Sequence, residues 1–128
     1  MDGIIKVRAA KKDLYLLYNG AALFELQETH GDPQALIDAL NDRSKKGFEA
    51  LCHIVAVLAE QGELMRRYMG HTPTEIPKES DLAVAITPLD ILALVPAASS
   101  AIIKGLSREE TEGEEIDLGL AELQKKTE

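Results

Sequence analysis

The side chains best suited to chemistry in this sequence are three histidines, one cysteine and a group of charged residues near the middle of the chain. Cys52 and His53 are adjacent, but neighbouring residues on a helix point about 100° apart and do not readily share one metal ion. His30 and His71 lie far from that pair in sequence. We therefore interpret Cys52 as a buried thiol and the histidines as incidental, and we predict no metal site and no cofactor.

The central charged group contains Glu60, Glu63, Arg66 and Arg67. A general acid or base needs burial or close charges that shift its pKa. Glu63 and Arg67 instead have the i,i+4 spacing of an ion pair on an exposed helix face, which is typically worth about 0.3–0.5 kcal/mol. The sequence also lacks a phosphate-binding glycine loop and a glycine-flanked serine nucleophile. We predict no catalytic residue and a protein that is not an enzyme.

The acidic balance of the chain bears on its partners and location. Its formal charge of −8 over 128 residues argues against nucleic acid, because affinity for phosphates comes mostly from lysine and arginine. One cysteine cannot form an internal disulfide, and the N-terminus has no signal-peptide pattern, so we expect a reducing cytoplasm. The longest apolar stretch, residues 82–106, contains Asp90, Pro96 and Lys104. We interpret it as too polar for a membrane span.

The beginning of the chain has the pattern of a β-hairpin. Apolar Ile5, Val7 and Ala9 alternate with charged residues, and a polar turn leads into a strand-favouring run at 14–18. A short helix follows over 21–29, and Asp32 before a proline predicts the cap of a second short helix. The expected fold class is therefore α+β and mainly α-helical.

The longest helical pattern starts after Ser44 and ends at Gly70. Its apolar face is broad, which is typical of a helix in the centre of a fold. Gly62 interrupts the pattern at a cost of about 1 kcal/mol relative to alanine, so it marks either a kink or close packing of another backbone. We favour close packing. A last helical pattern begins at Pro88, and Pro96 is expected to kink or split it.

The segment after the last helix is strongly acidic. Residues 107–128 hold eight acidic and three basic residues, which is −5 of the total charge of −8. We therefore divide the chain into a folded domain over 1–107 and an acidic, partly disordered tail over 108–128. A short apolar cluster within the tail either becomes helical when it docks on a partner or packs on the protein's own body, and both alternatives stay open.

Several segments carry a resemblance to a known family. They are Leu14-Tyr15-Leu16-Leu17-Tyr18-Asn19 with Ala22-Leu23-Phe24-Glu25-Leu26, Ala59-Glu60-Gln61-Gly62-Glu63 with Arg66-Arg67, and Glu115-Ile116-Asp117-Leu118-Gly119-Leu120-Ala121-Glu122-Leu123. In this combination the chain resembles the tail assembly chaperones of long-tailed bacteriophages and prophages of Gram-positive bacteria. The similarity runs through most of the chain and rests on a pattern of strand and helix, without an invariant catalytic signature.

Members of that family keep the long, helical, aggregation-prone tape measure protein in solution while tail tube subunits polymerise around it, and they are absent from the finished virion. The resemblance implies a non-enzymatic binding protein of the host bacterial cytoplasm. Its partners would be the tape measure protein and the tail tube protein, with room for a homo-oligomer. The first alternative is a small regulatory or adaptor protein of a mobile element, and an enzyme with an active site shared between subunits comes third.

The candidate partner-binding residues are apolar side chains of the long central helix and of the tail. They are Phe48, Leu51, Val55, Leu58, Met65, Tyr68, Leu118, Leu120 and Leu123. An aliphatic helical face on an acidic body is suited to receive an amphipathic partner helix in a groove.

Overall fold

The computed structural model describes residues 3–107, and the predicted α+β, mainly helical fold with an N-terminal β-hairpin is confirmed. The elements, in chain order, are β1 (Ile5–Ala9), β2 (Lys12–Leu16), α1 (Gly20–His30), α2 (Pro33–Leu40), α3 (Lys45–Tyr68), α4 (Glu79–Ala85) and α5 (Pro88–Leu106). The predictions for the acidic tail, including its apolar cluster, lie outside the described residues.

The hairpin pairs β1 with β2 in an antiparallel register that sets Ile5 against Leu16 and Ala9 against Lys12. Its two-residue turn places Ala10 and Lys11 at φ values of 53° and 63°, the left-handed geometry of the turn type that suits tight hairpins. Neither residue is glycine, so the turn carries some strain. The backbone N–H of Ala10 donates to the Asp90 carboxylate at 3.0 Å, which ties the turn to the start of α5.

The long helix α3 is the centre of the fold, as its broad apolar face predicts. It packs against β2 and against each of the other four helices. Ser44 caps its start, with the side chain accepting from the Gly47 N–H at 3.2 Å. Gly62 lies where α3 meets the hairpin, and a Cβ there would lie 1.7 Å from the carbonyl oxygen of Tyr15. The prediction of close backbone packing at Gly62 is therefore confirmed.

The last helix, α5, covers the other side of the hairpin and contacts α2 and α3. A capping box fixes its start: Asp90 donates its N–H to the Thr87 hydroxyl, and the Asp90 carboxylate accepts from the Thr87 N–H, both at 3.0 Å. Of the kink or split expected at Pro96, the split does not occur, since α5 runs unbroken from Pro88 to Leu106. Pro96 is exposed, so the Leu92 carbonyl that loses its usual donor lies on the solvent side.

Candidate functional site

The structure corrects the predicted binding face of α3. Leu51, Val55 and Leu58 are 2%, 0% and 0% exposed, because the hairpin and the other helices enclose the middle of α3. These three side chains belong to the core and are not accessible on the surface of this fold. Phe48 is half-buried at the start of the helix. The predicted tail residues Leu118, Leu120 and Leu123 lie outside the described part of the chain.

The remaining two predicted residues, Met65 and Tyr68, are accessible at the C-terminal end of α3. Met65 lines an apolar groove of about 330 Å³ between the end of β2, the start of α1 and the ends of α3 and α5. Its other apolar walls are Leu17, Leu23 and Leu106. We call this cavity, with those four lining residues, the apolar groove. Gly105 lies against Tyr18 on its inner side, where a Cβ would be 2.3 Å from the Tyr18 carbonyl oxygen.

Two exposed aromatic rings, outside the lining of the apolar groove, lie on two of the helices that form it. Phe24, which follows the lining residue Leu23, is 67% exposed, and Tyr68, one turn beyond Met65, is 86% exposed. Aromatic side chains and methionine are enriched in protein interfaces, where they supply large contact area at low entropic cost. A groove between helices with apolar walls and aromatic neighbours is suited to receive the apolar face of a partner helix.

A second exposed apolar surface runs along α5. Its residues recur at helical spacing on one side of the helix: four large apolar side chains and Pro96 are exposed, and Ser99 between them is polar and half-buried. We call this set the outer face of α5: Leu89, Leu92, Pro96, Ser99, Ile103 and Leu106. The 19-residue helix α5, with a mean hydropathy of 1.6, is long enough and apolar enough to cross a membrane by length and composition alone. It is therefore more apolar than the interpretation of residues 82–106 as too polar for a membrane span implied. Its opposite side supplies Leu94 and Ile102 to the core, both fully buried.

The charged group of α3 is partly buried. The predicted i,i+4 pair of Glu63 with Arg67 forms at 3.1 Å, but the prediction that the pair is exposed is wrong for Glu63. Glu63 is 3% exposed because the loop after α3 folds back over it. Its Oε1 accepts from Arg66 Nη1 at 2.6 Å and from the Thr74 hydroxyl at 2.8 Å. Its Oε2 accepts from the Thr74 backbone N–H at 2.7 Å and from Arg67 Nε at 3.1 Å. The Arg66 guanidinium also lies over the Tyr15 ring, 4.4 Å from its centroid.

The surroundings of Glu63 determine its protonation. Burial raises the pKa of its carboxyl, but the hydrogen bonds from Thr74, Arg66 and Arg67 outweigh burial and bring the pKa to about 2. The carboxylate is therefore ionised at neutral pH and engaged on both oxygens. Such a group is suited to hold the loop after α3 in place, and it has no proton to give as a general acid.

Two histidines that are distant in sequence meet between α1 and α3. His30 Nε2 and His53 Nδ1 are 2.9 Å apart, so one ring donates to the other and the pair holds a single proton between these nitrogens. Burial and the neighbouring His53 lower the pKa of His30, while Glu79 opposes the shift. Sequence reasoning missed this pair, because the packing of α1 on α3 brings the rings together. Within residues 3–107 no group of three or more histidine, cysteine, aspartate or glutamate side chains has the arrangement of a metal site.

The single cysteine is a core residue. Cys52 is 2% exposed, and burial, with contributions from Glu79 and Glu49, raises the pKa of its thiol to about 11. A thiol of that kind is protonated at neutral pH and is a poor nucleophile. The interpretation of Cys52 as a buried thiol is confirmed.

The comparisons with known proteins give no relative of this chain. No protein-family model, no curated protein and no solved structure matches it. What the chain does must therefore be argued from its own residues and surfaces.

Proposed function

We propose that this chain is a non-enzymatic phage tail assembly chaperone that binds the tape measure protein and helps to recruit tail tube subunits during tail morphogenesis. The observation that carries the proposal is the apolar groove lined by Leu17, Leu23, Met65 and Leu106, an unfilled cavity of about 330 Å³ between helix ends. The resemblance of the sequence to tail assembly chaperones supplies the identity of the partner. The groove supplies a place for it to bind.

The dimensions and chemistry of the groove suit one helix of a tape measure protein. A partner helix would insert one or two apolar side chains between Met65 and Leu23 and lay its flanks against Phe24 and Tyr68. These two rings are 67% and 86% exposed in the unbound chain, so their burial would contribute about 1–2 kcal/mol each from apolar area alone. Covering such a stripe of the tape measure protein would keep it from aggregating.

The charge of the chain supports the same role. A formal charge of −8 helps to keep the chaperone in solution while it covers an apolar helix. It also disfavours nucleic acid as the partner in this groove. We place the protein in the host bacterial cytoplasm during assembly and outside the mature virion.

Co-expression with a tape measure fragment tests the proposal. We expect the fragment to stay in solution and to co-purify with the wild-type chain. Leu106→Asp places a charge in the groove wall at a residue that is already 52% exposed, so the fold should tolerate it. We expect this variant to lose most of the co-purified fragment.

The matched control is Leu89→Asp, the same change on the same helix at a residue 74% exposed and away from the groove. It should retain the fragment. If both variants retain it, or if the fragment precipitates equally with and without the wild-type chain, the proposed function is wrong.

A further inference from the structure

The outer face of α5 has a self-complementary order of side chains. Its six residues are spaced by three and four alternately, which is the spacing of a seam between two paired helices. Large residues stand at both ends, Leu89 and Leu92 at the start and Ile103 and Leu106 at the finish. The middle holds the small residues Pro96 and Ser99. When the face is reversed end for end, its order of large and small positions is unchanged.

We propose that a second copy of this chain binds along the outer face of α5, with the two α5 helices antiparallel about a two-fold axis. In that register Leu89 lies against Leu106 of the second copy, and Leu92 lies against its Ile103. The two-fold axis then passes between Pro96 and Ser99. Leu106 also lines the apolar groove, so the pairing and a helix in the groove share that side chain; the other five residues of the outer face lie outside the groove lining.

Charge favours the antiparallel arrangement over the parallel one. Asp90 is at the start of α5 and Lys104 near its end. An antiparallel pair brings Lys104 of one copy to the same end as Asp90 of the other, whereas a parallel pair brings the two Lys104 side chains together. The helix dipoles also oppose each other favourably when the helices run in opposite directions. None of the six residues of the outer face is charged, so two acidic chains can pair along it without burying a charge.

Small side chains at the centre allow the two helices to approach closely. Ala93 and Ser100, which flank the outer face on one side, are also small and exposed. Pro96 removes the N–H that would bond to the Leu92 carbonyl, which leaves an acceptor open on this side of the helix. In the antiparallel register the hydroxyl of Ser99 from the second copy faces that region and can donate to it.

The available area matches a weak but specific dimer. Leu89, Leu92, Ile103 and Leu106 are 74%, 64%, 58% and 52% exposed, which makes them four of the most exposed large apolar side chains among residues 3–107. Together with the small residues between them, two copies would bury roughly 1,000 Å² in total, near the lower bound for a specific interface. We therefore expect a dissociation constant in the micromolar range.

Sedimentation equilibrium of the full chain over a range of concentrations tests the pairing. The wild-type chain should pass from monomer to dimer. Leu92→Lys and Ile103→Glu should each raise the dissociation constant at least about tenfold, because a charge must be buried against an apolar side chain. Val84→Lys, at a residue 87% exposed on α4, is the control and should dimerise as the wild type does. Circular dichroism checks that each variant is folded.

Mixing the two disruptive variants tests the register itself. An antiparallel heterodimer of Leu92→Lys with Ile103→Glu sets the new lysine against the new glutamate at one site and restores the natural leucine–isoleucine contact at the other. The mixture should therefore dimerise more tightly than either variant alone. In a parallel pair, mixing removes the lysine–lysine and glutamate–glutamate contacts but leaves each new charge against an apolar side chain, so that mixture should stay far weaker than the wild type. The antiparallel mixture should approach the affinity of the wild type. A mixture that is unchanged, or that stays far weaker than the wild type, overturns the antiparallel register.

Three further results would overturn the proposal, because each would show that something other than a second copy, or nothing, binds the outer face of α5. If the wild-type chain stays monomeric at several hundred micromolar, no second copy binds the outer face. If the wild-type chain is monomeric and the Leu120→Asp variant is dimeric, the chain's own tail covers the outer face in the wild type. Flotation of the wild-type chain, but not of Leu92→Lys, with vesicles of phosphatidylethanolamine and phosphatidylglycerol would assign the face to a membrane surface.

The test is separate from that of the proposed function. Leu89 and Leu106 face each other across the pairing, so aspartate at either position removes the same apolar contacts from the dimer. A difference between these two variants in retaining the tape measure fragment therefore reports on the apolar groove alone.

Discussion

Replacing Glu63 by glutamine should destabilise the protein in a way that depends on pH. In the folded chain the pKa of Glu63 is about 2, against an ordinary value of 4.5. Because the folded pKa is the lower one, the ionised carboxylate stabilises the fold. This stabilisation is fully present above pH 4.5 and is lost as the pH falls toward 2. The shift corresponds to about 3 kcal/mol, since one pKa unit is worth about 1.4 kcal/mol.

The assay is urea unfolding of wild type and Glu63→Gln at pH 7 and at pH 3. At pH 7 we expect the variant to be less stable by about 3 kcal/mol, because Arg66 and the Thr74 N–H lose a charged acceptor in a buried place. At pH 3 the difference should shrink by about 2 kcal/mol, because most of the wild-type stabilisation has then been titrated away. Carboxylates present in both proteins cancel in this comparison.

Glu60→Gln is the matched control, since it removes the same charge one turn earlier on α3, where the side chain is only half-buried. It should change the stability by less than about 0.5 kcal/mol at both pH values. If the difference between wild type and Glu63→Gln is the same at pH 7 and pH 3, the Glu63 carboxylate does not hold the loop as described.

Gly62→Ala should destabilise the fold by about 2 kcal/mol or more despite the better helix propensity of alanine, because its Cβ would lie 1.7 Å from the Tyr15 carbonyl oxygen. Gly20→Ala, whose Cβ meets no atom within 4 Å, is the control, and equal midpoints in thermal melts would contradict the close packing. For His30, burial and then His53 lower the pKa, so its contribution to stability is complete above about pH 6.5 and declines below it. An NMR titration that gives His30 a midpoint at or above that of the unfolded chain would refute this.

Local pattern was sufficient to predict the elements of the fold. The alternation of Ile5, Val7 and Ala9 predicts β1, and the cap at Ser44 and the broad apolar face predict α3. Gly62 was correctly assigned to close packing, because a glycine in the middle of a good helix is unfavourable unless a neighbour needs the space.

Whether a side chain is buried or exposed depended on tertiary contacts, which the local sequence pattern does not reveal. The same apolar periodicity fits a helix that is enclosed and a helix that is exposed on one side, so Leu51, Val55 and Leu58 could be read as a binding face although they are core. Glu63 looked exposed because its i,i+4 partner is on the same helix. Two of its four hydrogen bonds come from Thr74, whose position depends on how the loop folds back.

The candidate groove was only partly predictable for the same reason. Met65 and Tyr68 were identified from the stripe on α3, but Leu23 and Leu106 come from the first and last helices and meet them only in the folded chain. Pro96 was expected to kink or split α5, and the split was wrong. The helix does not split, since the proline lies on the solvent side, where the Leu92 carbonyl can bind water.

The tie between the hairpin turn and α5 has a consequence for how the chain folds during synthesis. The Ala10 N–H bonds to an aspartate 80 residues later, and the Leu17 N–H bonds to the Leu58 carbonyl oxygen at 3.1 Å. A lone two-stranded hairpin is marginal in water. The hairpin therefore completes its packing only after α5 has been synthesised, and until then the hairpin side chains that pack on α5 are exposed to the cell.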